Sequence, residues 1–227
     1  MMQLDKLEEI LGYKFNNKAL LHQAITHSSY ANEIADGSVK DSERLEFLGD
    51  AVLDMVVSNV LFNQEMDKAE GDLTKLRAQI VCEKSLAAIS REKGFGDFIL
   101  LGKGEEHNGG RKRDSILADS VESIIGAIYI DSGFTAAAGV VTSLFEKTIE
   151  EAMAGKMPRD SKTELQERLQ AHGPCTIEYK LESEDGPDHD KCFTFSVNVN
   201  GKQIGIGKGK SKKAAQASAA EAALKGL

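Results

Sequence analysis

Apolar residues recur at helical spacing through the first two thirds of the chain. Leu4, Leu7, Ile10 and Leu11 fall on one face of a first helix, because residues three and four positions apart lie on the same side of a helix. The same spacing predicts further helices over residues 19–25, 43–64, 73–93, 115–131 and 136–153. Strand-like alternation is absent from this region, so we predict that it is all-α.

The pattern changes after residue 153, where Gly155 and Pro158 interrupt the helical spacing. Asn200-Gly201 separates two alternating segments, as the turn of a β-hairpin does, and Ser211 can cap a last helix. The predicted elements are a helix over 161–170, strands over 176–181, 193–199 and 203–209, and a helix that ends at residue 224. We therefore predict an all-α domain over residues 1–153, a linker over 154–159, and a small α+β domain of order α-β-β-β-α over 160–227.

The balance of acidic and basic residues changes near the same boundary. The chain has 227 residues and a net charge of −8. Residues 1–155 carry 16 basic and 26 acidic side chains, whereas residues 156–227 carry 12 basic and 10 acidic ones. A basic end on an acidic body favours two modules with different functions, although a solvated lysine-rich helix would show the same composition.

Composition also bounds the cellular context. No apolar stretch approaches the ~18 residues that a membrane-spanning helix needs, and the charged residues in the first turns argue against a secretory signal. Cys82, Cys175 and Cys192 are odd in number and lack the spacing of metal ligands. We therefore expect a cytoplasmic protein with no membrane partner, no disulfide framework and no zinc site.

Two predicted helices carry carboxylates among apolar residues. Four of them share one face of the helix over 43–64, namely Glu43, Glu46, Asp50 and Asp54. Asp119 and Glu122 repeat this arrangement, three positions apart, on the helix over 115–131. Because unpaired carboxylates in apolar surroundings are costly, a cation should offset them.

The cation could be a metal ion. If the two helices face each other, four carboxylates form a cluster of oxygen ligands, namely Glu46, Asp50, Asp119 and Glu122. Such hard ligands favour Mg²⁺ or Mn²⁺ over zinc or copper, and the cluster suits metal-activated water that attacks phosphorus. The alternative is a structural role in which the acids pair with Arg44, Lys75 or Arg77.

The segment Glu43-Arg44-Leu45-Glu46-Phe47-Leu48-Gly49-Asp50-Ala51 resembles the signature of the ribonuclease III family, the endoribonucleases specific for double-stranded RNA. Asp119-Ser120-Val121-Glu122 lies where that family has its second acidic pair. Similarity continues through residues 11–15, 26–29 and 70–77, and the architecture resembles that of the bacterial enzymes.

This resemblance implies a role for each acidic residue. Four residues bind catalytic Mg²⁺, for which Mn²⁺ can substitute: Glu46, Asp50, Asp119 and Glu122. Asp50 and Glu122 are the catalytic pair among them, and Glu43 and Glu70 are auxiliary residues of the active-site cleft. The family also implies a homodimer whose two centres each cut one strand, leaving 5′-phosphates, 3′-hydroxyls and short 3′ overhangs during rRNA and mRNA processing.

The C-terminal module resembles a double-stranded RNA-binding domain. By this resemblance Gln166 and Gln170 on its first helix contact the minor groove, and His189 enters the neighbouring minor groove from the loop between the first two strands. Three lysines, Lys210, Lys212 and Lys213, bind phosphates across the major groove. Gln216 departs from the family, because many such domains have a further lysine there. Recognition of this kind depends on the shape of the RNA helix rather than on its sequence.

Two other functions remain open at this point. A non-catalytic protein that binds double-stranded RNA is one, and the complete set of four acids argues against it. A helical phosphohydrolase that acts on nucleotides is the other, and the C-terminal domain argues against that. The glycines at 102–104 and 109–110 fit no nucleotide-binding motif, so no nucleotide cofactor is expected. His27 could be a general base, but a helix-capping or packing role is favoured.

Overall fold

The computed structural model describes residues 2–34, 37, 39–157, 161–171, 173–187 and 191–227, with the backbone alone for Met2 and Gln3. The chain forms two compact units, Met1–Met157 and Pro158–Leu227. The predicted linker over residues 154–159 straddles this division, and its residues 158 and 159 lie outside the described part. The first unit is helical and the second has the order α-β-β-β-α, so the predicted fold class is confirmed.

Eight α-helices make up the described part of the first unit. They are α1 (Met2–Leu11), α2 (Lys18–Ala24), α3 (Ser28–Glu33), α4 (Glu43–Gln64), α5 (Glu70–Ile80), α6 (Glu83–Lys93), α7 (Lys103–His107) and α8 (Asp114–Met153), with short 3₁₀ turns at Phe95–Phe98 and Gly110–Lys112. Two of them, α3 and α7, were not predicted, because five or six residues are too few to show a helical period.

Helix α8 is the central element of this unit. It packs along α4 and also contacts α2, α5 and α6. Many of its apolar side chains are buried in the core, and Val121, Ile125 and Phe145 are fully so. The chain kinks at Gly133, whose φ of 78° is outside the helical region, so the two helices predicted at 115–131 and 136–153 are segments of one kinked helix.

By length and composition alone, α8 could cross a membrane. This corrects the expectation that no apolar stretch approaches that length. The expectation considered uninterrupted apolar residues. Helix α8 contains Ser and Thr, but its mean hydropathy over 18 residues is still high enough for a membrane span. Because the buried side chains of α8 pack against neighbouring helices, its apolar character is explained by its place in the core.

The helix predicted over residues 73–93 is two helices, and that prediction is wrong. The backbone leaves the helical region at Cys82, whose ψ is 152°, between α5 and α6. Ile80 and Leu86 are both fully buried. On one continuous helix these two side chains would point about 120° apart, so the break allows both of them to reach the core.

The second unit is a three-stranded antiparallel sheet with two helices. It comprises α9 (Ser161–Gln170), β1 (Ile177–Asp185), β2 (Cys192–Val199), β3 (Lys202–Gly209) and α10 (Lys212–Leu224), with strand order β1-β2-β3. Asn200 and Gly201 both have positive φ, 50° and 81°, as the predicted hairpin turn requires. The core contains Leu165, Val197 and three alanines of α10, Ala219, Ala220 and Ala223.

Alternate glycines of β3 bring α10 against the strand. Added Cβ atoms at Gly205, Gly207 and Gly209 would each overlap backbone atoms of α10. Because β3 presents no side chain on this face, the helix backbone approaches the strand directly. This close packing fixes where the first turn of α10 lies.

Candidate metal centre and nucleic-acid interface

The carboxylates of α4 lie at the edge of its buried face. Leu45 and Val52 are buried, and this face packs α4 against α8. Glu46 is half-buried beside it, whereas Glu43 and Asp50 are exposed. The helical spacing of α4 therefore places Glu46 between the core and the solvent.

Gly49 and Gly126 allow α4 and α8 to cross at backbone contact. A Cβ atom at Gly49 would overlap the carbonyl oxygen of Glu122 and lie 2.9 Å from the nitrogen of Gly126. A Cβ atom at Gly126 would overlap the carbonyl oxygen of Leu45 and lie 3.1 Å from the nitrogen of Gly49. Because Glu46 and Glu122 adjoin these contact points, the close crossing brings side chains of the two helices together.

Three carboxylates converge at this crossing. One oxygen each of Glu46, Asp119 and Glu122 lie within 4.8 Å of one another, and all three residues are half-buried. Over the described ranges, none of the three forms an ion pair with a Lys or Arg side chain. The two predicted acidic helices therefore do face each other, and in the described part of the chain their acids meet without a Lys or Arg partner.

Burial and mutual repulsion make these groups hard to ionise. The pKa of Glu122 rises from 4.5 to about 8, chiefly because the residue is buried and further because of the charges of Asp50, Asp119 and Glu46. Burial also raises the pKa of Glu46, with Asp119 as the strongest charged neighbour. The pKa of Asp119 is raised by burial too, although His27 opposes that rise. A nearby positive charge would reverse these shifts.

The donor set fits a hard divalent cation. All three groups are carboxylates, the ligands that Mg²⁺ and Mn²⁺ prefer, and Glu46, Asp119 and Glu122 would hold the ion. Asp50 lies outside this group of three, although its charge acts on both glutamates. Its role as a fourth ligand stays a prediction.

The remaining acids of the two motifs have other surroundings. Asp54 lies 3.8 Å from Nε of Arg77, so the alternative of structural pairing applies to Asp54. Glu70 begins α5, is exposed, and accepts a 2.9 Å hydrogen bond from the hydroxyl of Thr74. The auxiliary roles of Glu43 and Glu70 stay predictions.

His27 caps α3. Its Nδ1 accepts a 3.2 Å hydrogen bond from the backbone N–H of Ser29 and lies 2.8 Å from the hydroxyl of the same residue. Its backbone N–H donates to the carbonyl of Leu100 at 3.1 Å. The favoured interpretation of His27 as a capping residue is confirmed.

The second unit presents polar and basic side chains on both helices. Gln166 and Gln170, four positions apart on α9, are exposed on one face. The hydroxyl of Ser211 accepts a 3.1 Å hydrogen bond from the N–H of Ala214 and so caps α10, as predicted. Lys212 and Lys213 are exposed in the first turn of this helix, where the helix dipole also favours an anion.

The sequence also predicts RNA contacts at Lys210 and His189. Lys210 is exposed just before the cap of α10. His189 lies outside the described residues, as do its neighbours at 188 and 190. The assigned RNA contacts of this unit therefore stay predictions.

Two known protein families match successive parts of the chain. Residues 17–149 match the ribonuclease-III-like family, and residues 161–227 match the double-stranded RNA binding motif. The first match spans more than half of the chain. The chain belongs to the ribonuclease III family. The resemblance inferred from its sequence motifs is confirmed, and with it the assignment of the chain as an enzyme.

Known ribonuclease III proteins match this family member over nearly its whole chain. Ribonuclease 3 of Desulforamulus reducens is 46% identical over 225 residues, which are 99% of this chain and 92% of that protein. Ribonuclease 3 of Listeria welshimeri is 48% identical over 229 residues, which are 100% of this chain and 99% of that protein. The nuclease domain of Campylobacter jejuni ribonuclease III is 48% identical with a TM-score of 0.60, covering 65% of this chain and 97% of that chain.

The sequence motifs do not predict that Gly49 and Gly126 allow α4 and α8 to cross closely. Gly49 stands inside the ribonuclease III signature, where the acids alone indicate a metal site. Gly126 lies inside an apolar helical run, where glycine costs about 1 kcal/mol relative to alanine. Such a glycine is the available signal of close backbone approach.

Proposed function

We propose that the chain hydrolyses double-stranded RNA with Mg²⁺ bound at the carboxylate cluster of α4 and α8. The convergence of Glu46, Asp119 and Glu122 within 4.8 Å, with no ion pair to a Lys or Arg side chain among the described residues, is the observation that supports it most strongly. A bound Mg²⁺, or Mn²⁺ in its place, would lower the pKa of water and polarise the phosphate. Asp50 is the proposed fourth ligand, exposed and close enough to act on Glu122.

The second unit supplies recognition of the duplex. Lys210, Lys212 and Lys213 bind phosphates, while Gln166 and Gln170 reach the minor groove from α9. Shape-based recognition of this kind requires no particular sequence. The products are 5′-phosphate and 3′-hydroxyl ends with short 3′ overhangs, and the substrates are precursors of rRNA and mRNA in the cytoplasm.

A second copy of the chain completes the enzyme. Four large apolar side chains project from the solvent side of α4 and from the turn after it: Phe47 (81% exposed), Met55 (61%), Phe62 (70%) and Met66 (85%). Exposed apolar patches of this kind mark protein interfaces. A symmetric pairing through α4 would place two acidic clusters on one duplex, so that each cuts one strand. A related nuclease domain from Campylobacter jejuni has been described with structural flexibility in its region of dimer formation.

The test of the catalytic assignment is Glu122→Gln. This change keeps the size of the side chain but removes a charge and a strong metal ligand, so single-turnover cleavage of an RNA hairpin should fall by ~10²-fold or more. Binding of the same hairpin in a gel shift should persist, because the residues of α9 and α10 are unchanged. Glu92→Gln is the matched control and should cleave normally. Glu92 is exposed on α6 and lies 4.0 Å from Nζ of Lys147, 25 positions after Glu122 on α8.

The outcomes separate the proposed enzyme from its alternatives. Normal cleavage by Glu122→Gln, or full wild-type cleavage in excess EDTA, would exclude the metal mechanism. Binding of duplex RNA by the wild-type chain with no products at any Mg²⁺ concentration would indicate a non-catalytic RNA-binding protein. Hydrolysis of free nucleotides in preference to RNA would indicate the phosphohydrolase instead.

The dimer is tested separately by sedimentation. Phe47→Ala combined with Phe62→Ala should shift the wild-type dimer towards monomer, whereas Ile130→Ala, on the exposed side of α8, should not. In mixed dimers with one Asp50→Asn subunit, the duplex should be nicked in one strand. Full double-strand cleavage by an isolated monomer would refute the two-centre arrangement.

A further inference from the structure

Gln216, which replaces a lysine common in double-stranded RNA-binding domains, forms a hydrogen bond with Lys162. Gln216 lies on α10, four positions after Lys212 and three after Lys213, so the three side chains share one face. The ammonium of Lys162, on the neighbouring helix α9, donates a 2.8 Å hydrogen bond to Oε1 of Gln216. A cation from a different helix therefore reaches the position where the third lysine of the family motif is missing.

A second contact fixes the direction of this side chain. Nζ of Lys162 lies 4.5 Å from the centroid of the Tyr179 ring on β1, within the range of a cation–π interaction. The lysine is half-buried between α9, α10 and the sheet. Contacts with α10 and with β1 therefore both restrain the ammonium group. This restraint reduces the conformational entropy that Lys162 would lose on binding a phosphate.

Lys162 also belongs to the face of α9 that we assign to RNA. Lys162, Gln166 and Gln170 are spaced four apart and so form one stripe along the helix. The ammonium of Lys162 lies beside α10, because α9 packs on α10 and the hydrogen bond to Gln216 spans the two helices. One continuous surface thus contains the predicted minor-groove contacts and the predicted phosphate contacts.

We propose that Lys162 is a phosphate-binding residue that supplies the third cation of the surface formed with Lys212 and Lys213, and that Gln216 and Tyr179 position its ammonium. This inference rests on the proposed binding of double-stranded RNA by the second unit. It differs from a purely structural tie between α9 and α10 in its dependence on salt, because only a lysine that neutralises a phosphate releases counterions when RNA binds.

The two roles are separated by Lys162→Gln in the full-length protein. Glutamine keeps a donor for Gln216 but has no charge. The affinity for a blunt RNA duplex is measured in Ca²⁺ without Mg²⁺ over a range of salt concentrations. Loss of one phosphate contact should reduce the slope of log K against log salt by about 0.9. The affinity advantage of the wild type over the variant should therefore shrink by about 3.5-fold between about 50 and 200 mM salt.

Three companion variants define the effect. Lys162→Arg keeps the charge and should keep the slope. Lys162→Gln combined with Gln216→Lys returns a cation to the same face of α10 and should restore the slope. Lys225→Gln removes a lysine at the far end of α10, about 20 Å along the helix from Lys212, and should leave the slope unchanged.

Each result decides between the alternatives. An unchanged slope in Lys162→Gln, with wild-type duplex binding intact, would overturn the role of Lys162 and leave the proposed function standing. A lower melting temperature with an unchanged slope would show a structural tie. Failure of the wild-type chain to bind duplex RNA would refute the proposed function itself. If circular dichroism shows that Lys162→Gln does not fold, a second comparison replaces it. The salt slope of the double variant Lys162→Gln with Gln216→Lys is compared with the slope of Gln216→Lys alone. Equal slopes would overturn the proposal.

Discussion

Gly126→Ala is the change that tests most directly how the fold creates the candidate metal centre. Gly126 sits where α8 crosses α4, and an added Cβ would overlap the carbonyl oxygen of Leu45. The obstacle is backbone rather than a flexible side chain, so no rotamer change can remove it. The two helices must move apart, and Glu46 on α4 must move away from Asp119 and Glu122 on α8.

The size of the effect follows from the geometry. Restoring a normal carbon–oxygen contact requires the helix axes to separate by roughly 1 Å. Overpacking of this kind costs about 1–3 kcal/mol of stability. Mg²⁺ accepts ligands only near 2.0–2.1 Å, so three carboxylates that no longer converge bind it poorly. A misplacement of about 1 Å in a catalytic group costs about 10²-fold in rate, and we expect that loss in cleavage.

The assay combines stability, metal binding and chemistry. Urea unfolding gives the change in the free energy of unfolding, and single-turnover cleavage of a hairpin over a Mg²⁺ titration gives the rate and the apparent metal affinity. Duplex binding by gel shift should stay within about twofold of wild type, since the second unit is untouched. At saturating Mg²⁺ the rate should remain low, because the ligand positions themselves have moved.

Gly139→Ala is the matched control on the same helix. Gly139 is exposed, and an added Cβ there meets nothing within 4 Å. This change should stabilise the protein by about 0.5–1 kcal/mol, the usual gain from alanine in a helix, and leave cleavage unchanged. If Gly126→Ala behaved like Gly139→Ala in both stability and rate, the reasoning about the close crossing would be refuted.

Three further predictions follow from single groups. Because the pKa of Glu122 rises from 4.5 to about 8 on folding, the folded state retains a proton that the unfolded state releases, so the metal-free protein should lose stability as pH rises through that window. Glu122→Gln should flatten this dependence in urea unfolding at pH 5–8, and identical profiles would contradict it. Asp131→Ala removes the acceptor of two hydrogen bonds, from the backbone N–H groups of Asn16 at 2.9 Å and Asn17 at 2.8 Å. The change should lower the free energy of unfolding by about 1.5–3 kcal/mol in thermal or urea unfolding. An unchanged free energy of unfolding would show that these bonds contribute nothing. Ser211→Ala removes the cap of α10 and should cost about 1 kcal/mol, detected as a lower melting temperature of the second unit, and an unchanged melting temperature would exclude a stabilising cap.

Long periodic helices were predictable from the sequence, whereas breaks without Gly or Pro were not. The helix over 43–64 was predicted with the bounds of α4, since its apolar residues keep helical spacing throughout. The break at Cys82 has no local signal, because it depends on the burial of Ile80 and Leu86 in the same core. The hairpin at Asn200-Gly201 was predictable because positive φ at both positions is a local requirement.

The candidate site was predictable in its composition but not in its exact membership. Helical spacing identified the two acidic helices, and the family signature indicated which acids to combine. Which carboxylates approach within 4.8 Å depends on how α4 and α8 cross. Asp50 lies outside the group of three in this structure, and Asp54 pairs with Arg77 from α5, a contact between elements that no local pattern encodes.

The sequence by itself determined the two-unit organisation, the family and the residue types of the metal centre, because periodicity, charge and motifs are properties of neighbouring residues. Tertiary structure alone decided that Gly49 and Gly126 set the distance between α4 and α8, and that burial beside this crossing raises the pKa of Glu122. It also decided that Lys162 reaches Gln216. These features arise from backbone approach and burial between segments far apart in the chain, where packing rather than local preference fixes the geometry.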